Sequence, residues 1–369
     1  MWNIILAAAL VVMIAGVIGL IAAFHRFTPI RNLGKRRRAL SWLVAALPVA
    51  AVGLGFGLLI NVPTAFTVVL HLLLIWLLCA LFGRIIGAVI HKKVSPDITG
   101  LAAIALTMLY MGAGWYMAHH VFITEYSLTT PKDLGRDRLR IVEIADSHLG
   151  ITLSGESFAR EMLRVKALEP DMVVIVGDFV DDDTDVSDMR AACAALGGLN
   201  PPLGVHFVYG NHDNGYYRYR SFTSAELRQA LSEAGVNILE DESQLIDSSF
   251  YLVGRRDRSM RDRAAAASLT AGLDPEKYTV MLDHQPNDYA AEAAAGADLV
   301  LSGHTHGGHL FPMGPIGVLI GANDAYYGVQ TRGDTAFVVT SGISGWAVPI
   351  KTGTFSEMVV IDVKSGAER

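Results

Sequence analysis

Four apolar runs fill the first third of this chain, at residues 4–24, 39–60, 64–90 and 98–118. Each reaches the roughly 20 residues that a helix needs to cross the hydrocarbon core of a bilayer. No basic segment precedes the first run and three more follow it, so it reads as a retained span and not a cleaved leader. Residues 1–118 hold nine of the 30 Lys and Arg but one of the 36 Asp and Glu, Asp97; residues 119–369 hold the remaining 21 and 35. This break marks a domain boundary at residue 118. An acidic second half has no electrostatic reason to bind nucleic acid nonspecifically.

The loop at 26–38 carries six positive charges, the loop after the third run carries Lys92 and Lys93, and the loop at 61–63 carries none. The positive-inside bias puts the first and third loops in the cytoplasm. The expectation is a multi-pass protein of the plasma (inner) membrane, with everything after residue 118 on the extracytoplasmic side. Pro48 and His71 lie inside the apolar runs, and their plain readings are helix packing and a hydrogen bond to a neighbouring helix. Residues 119–136, with Thr129-Thr130-Pro131 and Gly135, read as a linker, leaving 137–369 as the second domain.

That domain repeats one pattern five times: an apolar, strand-like run ends in a polar cluster. Residues 139–145 lead to Asp146-Ser147-His148, and 172–176 lead to Gly177-Asp178-Phe179-Val180-Asp181. Residues 205–209 lead to Gly210-Asn211-His212-Asp213, 278–282 to Asp283-His284, and 298–301 to Gly303-His304-Thr305-His306. Asp and His at i and i+2 on an extended backbone point the same way and can share one metal. Helical runs at 157–168, 186–196 and 224–234 alternate with the early strands, and strands follow one another later. That order predicts a mixed α/β sheet with helices on both sides. Ligands gather at the carboxyl ends of strands in such sheets, where all five clusters fall. Arg255 and Asp257, in a charged loop after another strand-like run, are candidate substrate contacts because Arg forks match phosphate geometry.

The set Asp146-x-His148, Gly177-Asp178-x-x-Asp181, Gly210-Asn211-His212-Asp213, His284 and Gly303-His304-x-His306 resembles the calcineurin-like metallophosphoesterases, over about residues 139–362. The runs 303–308 and 341–346 look like the YkuE-like branch, which includes transmembrane members. The resemblance implies a four-layer αββα sandwich with two divalent metal ions. Asp146, His148, Asp178 and His306 would hold the first, and Asp178, Asn211, His284 and His304 the second. His212 matches the catalytic histidine and Asp181 the aspartate that orients it. Asp213 stands where many relatives have Glu. His309 stands where this branch often has Gln, and is a third candidate substrate contact.

The chemistry such a site would perform is phosphate-ester hydrolysis, with water activated by two metals and His212 serving the leaving oxygen. Carboxylate, amide and imidazole donors suit Mn, Fe or Zn better than Ca. With four spans attached, the expected partners are the bilayer and a phosphorylated lipid or head group. A second reading, hydrolysis of UDP-2,3-diacylglucosamine for lipid A, needs a cytoplasmic site, against the loop charges. A third, a degenerate domain acting as membrane receptor or scaffold, leaves an intact ligand set without a purpose.

Overall fold

The computed structural model describes residues 2–215 and 220–366, in two compact units, Met1–Gly114 and Trp115–Arg369. The first unit is built from α1 (Trp2–His25), α2 (Thr28–Gly34), α3 (Arg38–Leu59), α4 (Val62–Val89) and α5 (Pro96–His119). Asn61 starts α4 as an N-cap, its side-chain oxygen accepting from the Thr64 amide at 2.8 Å. Among the described residues α3, α4 and α5 are long and apolar enough to cross a membrane. The fourth span expected from the sequence requires α1 and α2 to act as one, across a bend of 87°. Large apolar side chains such as Leu54, Leu77 and Phe82 are exposed, while Leu20, Ala45, Leu72 and Trp76 pack inside. That much outward apolar surface suits lipid and not water. His71 donates to the Thr67 carbonyl of its own helix at 2.8 Å, and its ring lies 5.8 Å from that of Tyr110 on α5.

The second unit begins with β1 (Val121–Thr130), β2 (Arg138–Ile144), α6 (Gly155–Ala167), β3 (Met172–Val176), α7 (Val186–Gly197) and β4 (Val205–Val208). It continues through α8 (Ser224–Glu233), β5 (Asn237–Ile238), β6 (Glu242–Ile246), β7 (Phe250–Gly254), α9 (Ala266–Thr270) and β8 (Tyr278–Leu282). It ends with α10 (Tyr289–Ala294), β9 (Leu299–Ser302), α11 (Met313–Leu319), β10 (Gly328–Arg332), β11 (Thr335–Val339) and β12 (Ser356–Ser365). Two six-stranded mixed sheets result, ordered β1-β12-β2-β3-β4-β5 and β10-β11-β9-β8-β7-β6.

The alternation of side chains along each strand explains the layering. Leu139 and Ile141 of β2, and Met172, Val174 and Val176 of β3, point between the sheets, where they meet Leu252, Val280, Leu282 and Leu301. The intervening Val142, Ile144, Val173 and Ile175 point the other way, onto Phe158 and Met162 of α6 and Leu227 of α8. On the far side of the second sheet, Val253, Met281 and Val300 pack with Leu269 and Tyr289 of α9 and α10. This is the αββα sandwich that the resemblance implies.

Within the stretch read as a linker, residues 121–130 instead form an edge strand. β1 pairs in parallel with β12 along its whole length, and its residues alternate between partly buried and exposed. Its polar alternate positions hide the strand from a hydropathy reading, and its partner lies at the far end of the chain.

Candidate metal centre

The five polar clusters leave β2, β3, β4, β8 and β9 at their carboxyl ends, three from one sheet and two from the other. The chain turns immediately. Asp146, His148, Asp178, His304 and His306 all have positive φ, between 34° and 68°, a region uncommon for residues with a Cβ. The turns are tied to each other: the Asp146 amide donates to Gly177 O at 3.0 Å, the His148 amide to Asp178 O at 3.1 Å, and the Gly303 amide to His284 O at 3.0 Å. Glycine is needed at 210, where a Cβ would sit 2.2 Å from Asp178 Oδ1.

Two donor groups converge: Asp146 with His148 and His306, and Asp178 with His284 and His304. Asp178 Oδ2 lies between them, 3.1 Å from His284 Nε2 and 3.5 Å from His148 Nε2. Asp146 also receives the His304 amide on both oxygens at 3.0 Å. Asn211 lies in the β4 turn between Gly210 and His212.

The donors fit a divalent cation by their lone pairs. His284 Nδ1 donates to the Val176 carbonyl at 2.8 Å and His148 Nδ1 to Asp181 at 3.0 Å, which leaves Nε2 of each ring, when neutral, as an acceptor facing the centre. His148 Nε2 and His306 Nε2 nevertheless lie 3.2 Å apart, His284 Nε2 lies 3.1 Å from Asp178 Oδ2, and among the described residues buried His304 Nδ1 finds no hydrogen-bond partner. Converging acceptors in a buried space are stable around a cation and costly without one.

A third grouping, His148, Asp181 and His212, differs in kind. Here Asp181 takes a hydrogen from Nδ1 of each ring, both at 3.0 Å. Burial opposes its charge, but these two bonds hold the Asp181 carboxyl well below the usual range. Burial likewise opposes a charge on His212, yet its bond to Asp181 and the nearby Asp178 raise its pKa. The His212 amide donates to Asp178 Oδ1 at 2.8 Å. Asp213 faces away and accepts from the amides of Phe179, Val180 and Gly210 at 2.9, 3.1 and 2.7 Å, pinning the β3 turn to the β4 turn. Its pKa is raised to about 6, mainly by burial and then by Asp178.

The expected substrate contacts behave differently. Arg255 is 2% exposed, its guanidinium bound by Asp283 at 2.9 Å, Asp288 at 2.9 Å and Glu292 at 3.1 Å. It is a buried counter-charge behind His284 and not a phosphate contact; three carboxylates around it were not evident from the sequence. Asp257 is buried too, and both its oxygens accept from Gln285 Nε2, at 3.0 and 2.9 Å. His309 stays beside the centre, its ring 5.6 Å from that of His306 and its Nε2 donating to the Val348 carbonyl at 3.1 Å.

Sequence reasoning assigned no role to the loop 341–351. Ser344 O faces His306 Nδ1 at 3.4 Å, the Trp346 ring stands 5.6 Å from that of His212, and buried Lys351 donates to Ser341 O and Gly342 O at 2.7 and 3.2 Å. The signals there were its glycines, its tryptophan and the likeness of the run 341–346 to the YkuE-like branch.

Fold and site define a metallophosphoesterase domain, the class of phosphoester hydrolases that work around divalent cations. Residues 139–308 match the calcineurin-like phosphoesterase family model. The transmembrane protein with metallophosphoesterase domain of Bos taurus is 30% identical over 240 residues, covering 60% of this chain and 52% of that one. Its counterpart in Danio rerio is 32% identical over 244 residues, covering 61% and 53%. The metallophosphoesterase YkuE of Bacillus subtilis is 26% identical over 274 residues, covering 71% and 94%. The chain thus spans about half the length of the two transmembrane relatives.

Proposed function

We propose that this protein is a membrane-anchored phosphohydrolase that uses two divalent metal ions, of the Mn, Fe or Zn kind, to cleave a phosphorylated lipid or its head group. The observation that carries the hydrolase reading is the pair of buried donor groups sharing Asp178. In this reading Asp146, His148, Asp178 and His306 hold one ion and Asp178, Asn211, His284 and His304 the other. Bound there, the ions would supply Lewis acidity, neutralising phosphoryl oxygens and acidifying water.

The side chains supply the rest. Asp181 fixes the His212 tautomer through Nδ1 and favours the imidazolium. His212 can then pass the proton on Nε2 to the leaving oxygen as the P–O bond breaks. Asp181 orients His148 by the same carboxylate, so one residue sets both a ligand and the acid. Trp346 shields His212 from one side.

The lipid reading is supported by an apolar surface that continues from the donor loop. Two residues beyond His309 the chain exposes Phe311, Met313, Leu319 (85%) and Ile320 (71%), with Trp346 (46%) across the centre. Exposed apolar surface of this kind beside a polar site marks a membrane or lipid contact. The loop charges support an extracytoplasmic position for the residues after 118. The test is phosphate release by the full chain from a phospholipid monoester in mixed micelles and from p-nitrophenyl phosphate. Turnover on both, with a strong preference for the micellar substrate, is expected. Equal use of both would leave a hydrolase without lipid preference, and turnover of neither would remove the hydrolase reading.

A further inference from the structure

The helical unit carries a second site of a different kind. A cavity of about 690 Å³ lies at the end of the bundle where α1 and α4 finish and α5 begins. That volume falls within the range of small-molecule pockets. Arg26 and Arg31 line it from the α1–α2 corner, Arg84 from the last turns of α4, and Lys92 and Lys93 from the following loop. Five cations therefore surround one cavity.

Among the described residues none of the five is ion-paired. The sole acid of residues 1–118 is Asp97. Its carboxylate is used locally, accepting from the Thr28 amide at 2.7 Å and so tying α2 to the start of α5, and its charge also acts on Arg31, beyond ion-pair distance. One acid cannot balance five cations, and most of the positive charge of the cavity is left for an external anion.

The cavity is also apolar on one side. Trp76, packed edge-on against Phe24 at 4.8 Å and Phe27 at 5.8 Å, lines it together with Ala80 and Ala88. Arg84 and Ala88 share a face of α4 with Leu81 and Ile85, both half exposed. A ligand with a charged end among the cations can therefore lay a hydrocarbon tail along α4. The bend of 87° turns α2, with Arg31, across the axis of α1 at this same end.

We infer that this cavity binds the phosphate head group of an anionic phospholipid, with its acyl chains along the α4 face. The shared chemistry is a phosphate-bearing anion, as in other basic pockets between membrane helices; the adjoining apolar face favours the lipid over a soluble phosphate. The site is separate from the metal centre and does not depend on the hydrolase reading, only on the helices spanning a membrane.

The test is native mass spectrometry of the full chain released from nanodiscs of phosphatidylcholine with one-fifth phosphatidylglycerol. Wild type is expected to retain phosphatidylglycerol in preference to phosphatidylcholine. The triple variant Arg84→Gln, Lys92→Gln, Lys93→Gln should lose that preference by about tenfold or more, while Arg84→Lys keeps it. Millimolar inorganic phosphate should not displace the lipid. Equal retention by the triple variant, no preference for the anionic lipid in wild type, or displacement by inorganic phosphate would each overturn the assignment. Resistance to carbonate extraction from membranes reads the spanning separately: an extractable chain removes that premise, and a resistant chain without lipid preference removes only the pocket.

Discussion

His148 Nε2 and His306 Nε2 face each other at 3.2 Å while Asp181 and Ser344 O occupy the opposite sides of the two rings. With the proton of neutral His306 on Nδ1, toward Ser344 O, two imidazole lone pairs face each other and do not attract. The contact is favourable with a cation between them, which links metal binding to folding stability. Metal at about 100 times its dissociation constant should add about 2.7 kcal/mol to stability. Thermal unfolding with and without chelator checks this: the midpoint is expected to fall on chelation in wild type and much less in His306→Phe.

Asp181 is placed to set the orientation of both His148 and His212. Removing such an outer partner typically costs about 10–100-fold in metal affinity or activity. Asp181→Asn should lower kcat by about that factor and weaken metal binding through His148, with circular dichroism unchanged. Full activity in Asp181→Asn would separate His212 from the chemistry.

Arg255 is the counter-charge to two buried carboxylates, Asp283 and Glu292, and to the partly exposed Asp288. Deleting one side of a buried ion cluster costs about 3–5 kcal/mol. Arg255→Met should therefore lower the unfolding midpoint markedly, while KM for p-nitrophenyl phosphate in the surviving folded enzyme stays close to wild type. A large rise in KM with an unchanged midpoint would restore Arg255 as a substrate contact.

The apolar segment after His309 separates lipid from soluble substrates. Leu319→Ser with Ile320→Ser should reduce turnover of a micellar phospholipid monoester by about tenfold, since each exposed apolar side chain that inserts contributes on the order of 1 kcal/mol or more. Turnover of p-nitrophenyl phosphate should not change. A parallel loss on both substrates would mean the segment supports the centre itself.

The sequence displayed the strands that carry the donors because they are short, apolar and each ends in a polar cluster. Met172–Val176 and Tyr278–Leu282 could be read to the residue. Less legible was whatever depends on partners distant in the chain. β1 needs β12 to become a strand. Arg255 reads as an exposed phosphate fork until Asp283, Asp288 and Glu292 close around it. Asp213 closes the Gly-Asn-His-Asp cluster in the sequence, yet its role as a clamp on three amides appears only when the β3 and β4 turns meet. The cavity of cations in the helical unit shows in the sequence only as loop charge.

The most direct test of the central claim is the metal content and phosphate release of the full chain purified in detergent, beside Asp178→Asn. Asp178 lies between the two donor groups. Two divalent ions per wild-type chain are expected, with turnover abolished by chelation and restored by Mn, and Asp178→Asn should lose at least about 10²-fold in kcat together with bound metal. Turnover that survives complete metal removal, or that is near normal in Asp178→Asn, would contradict the account.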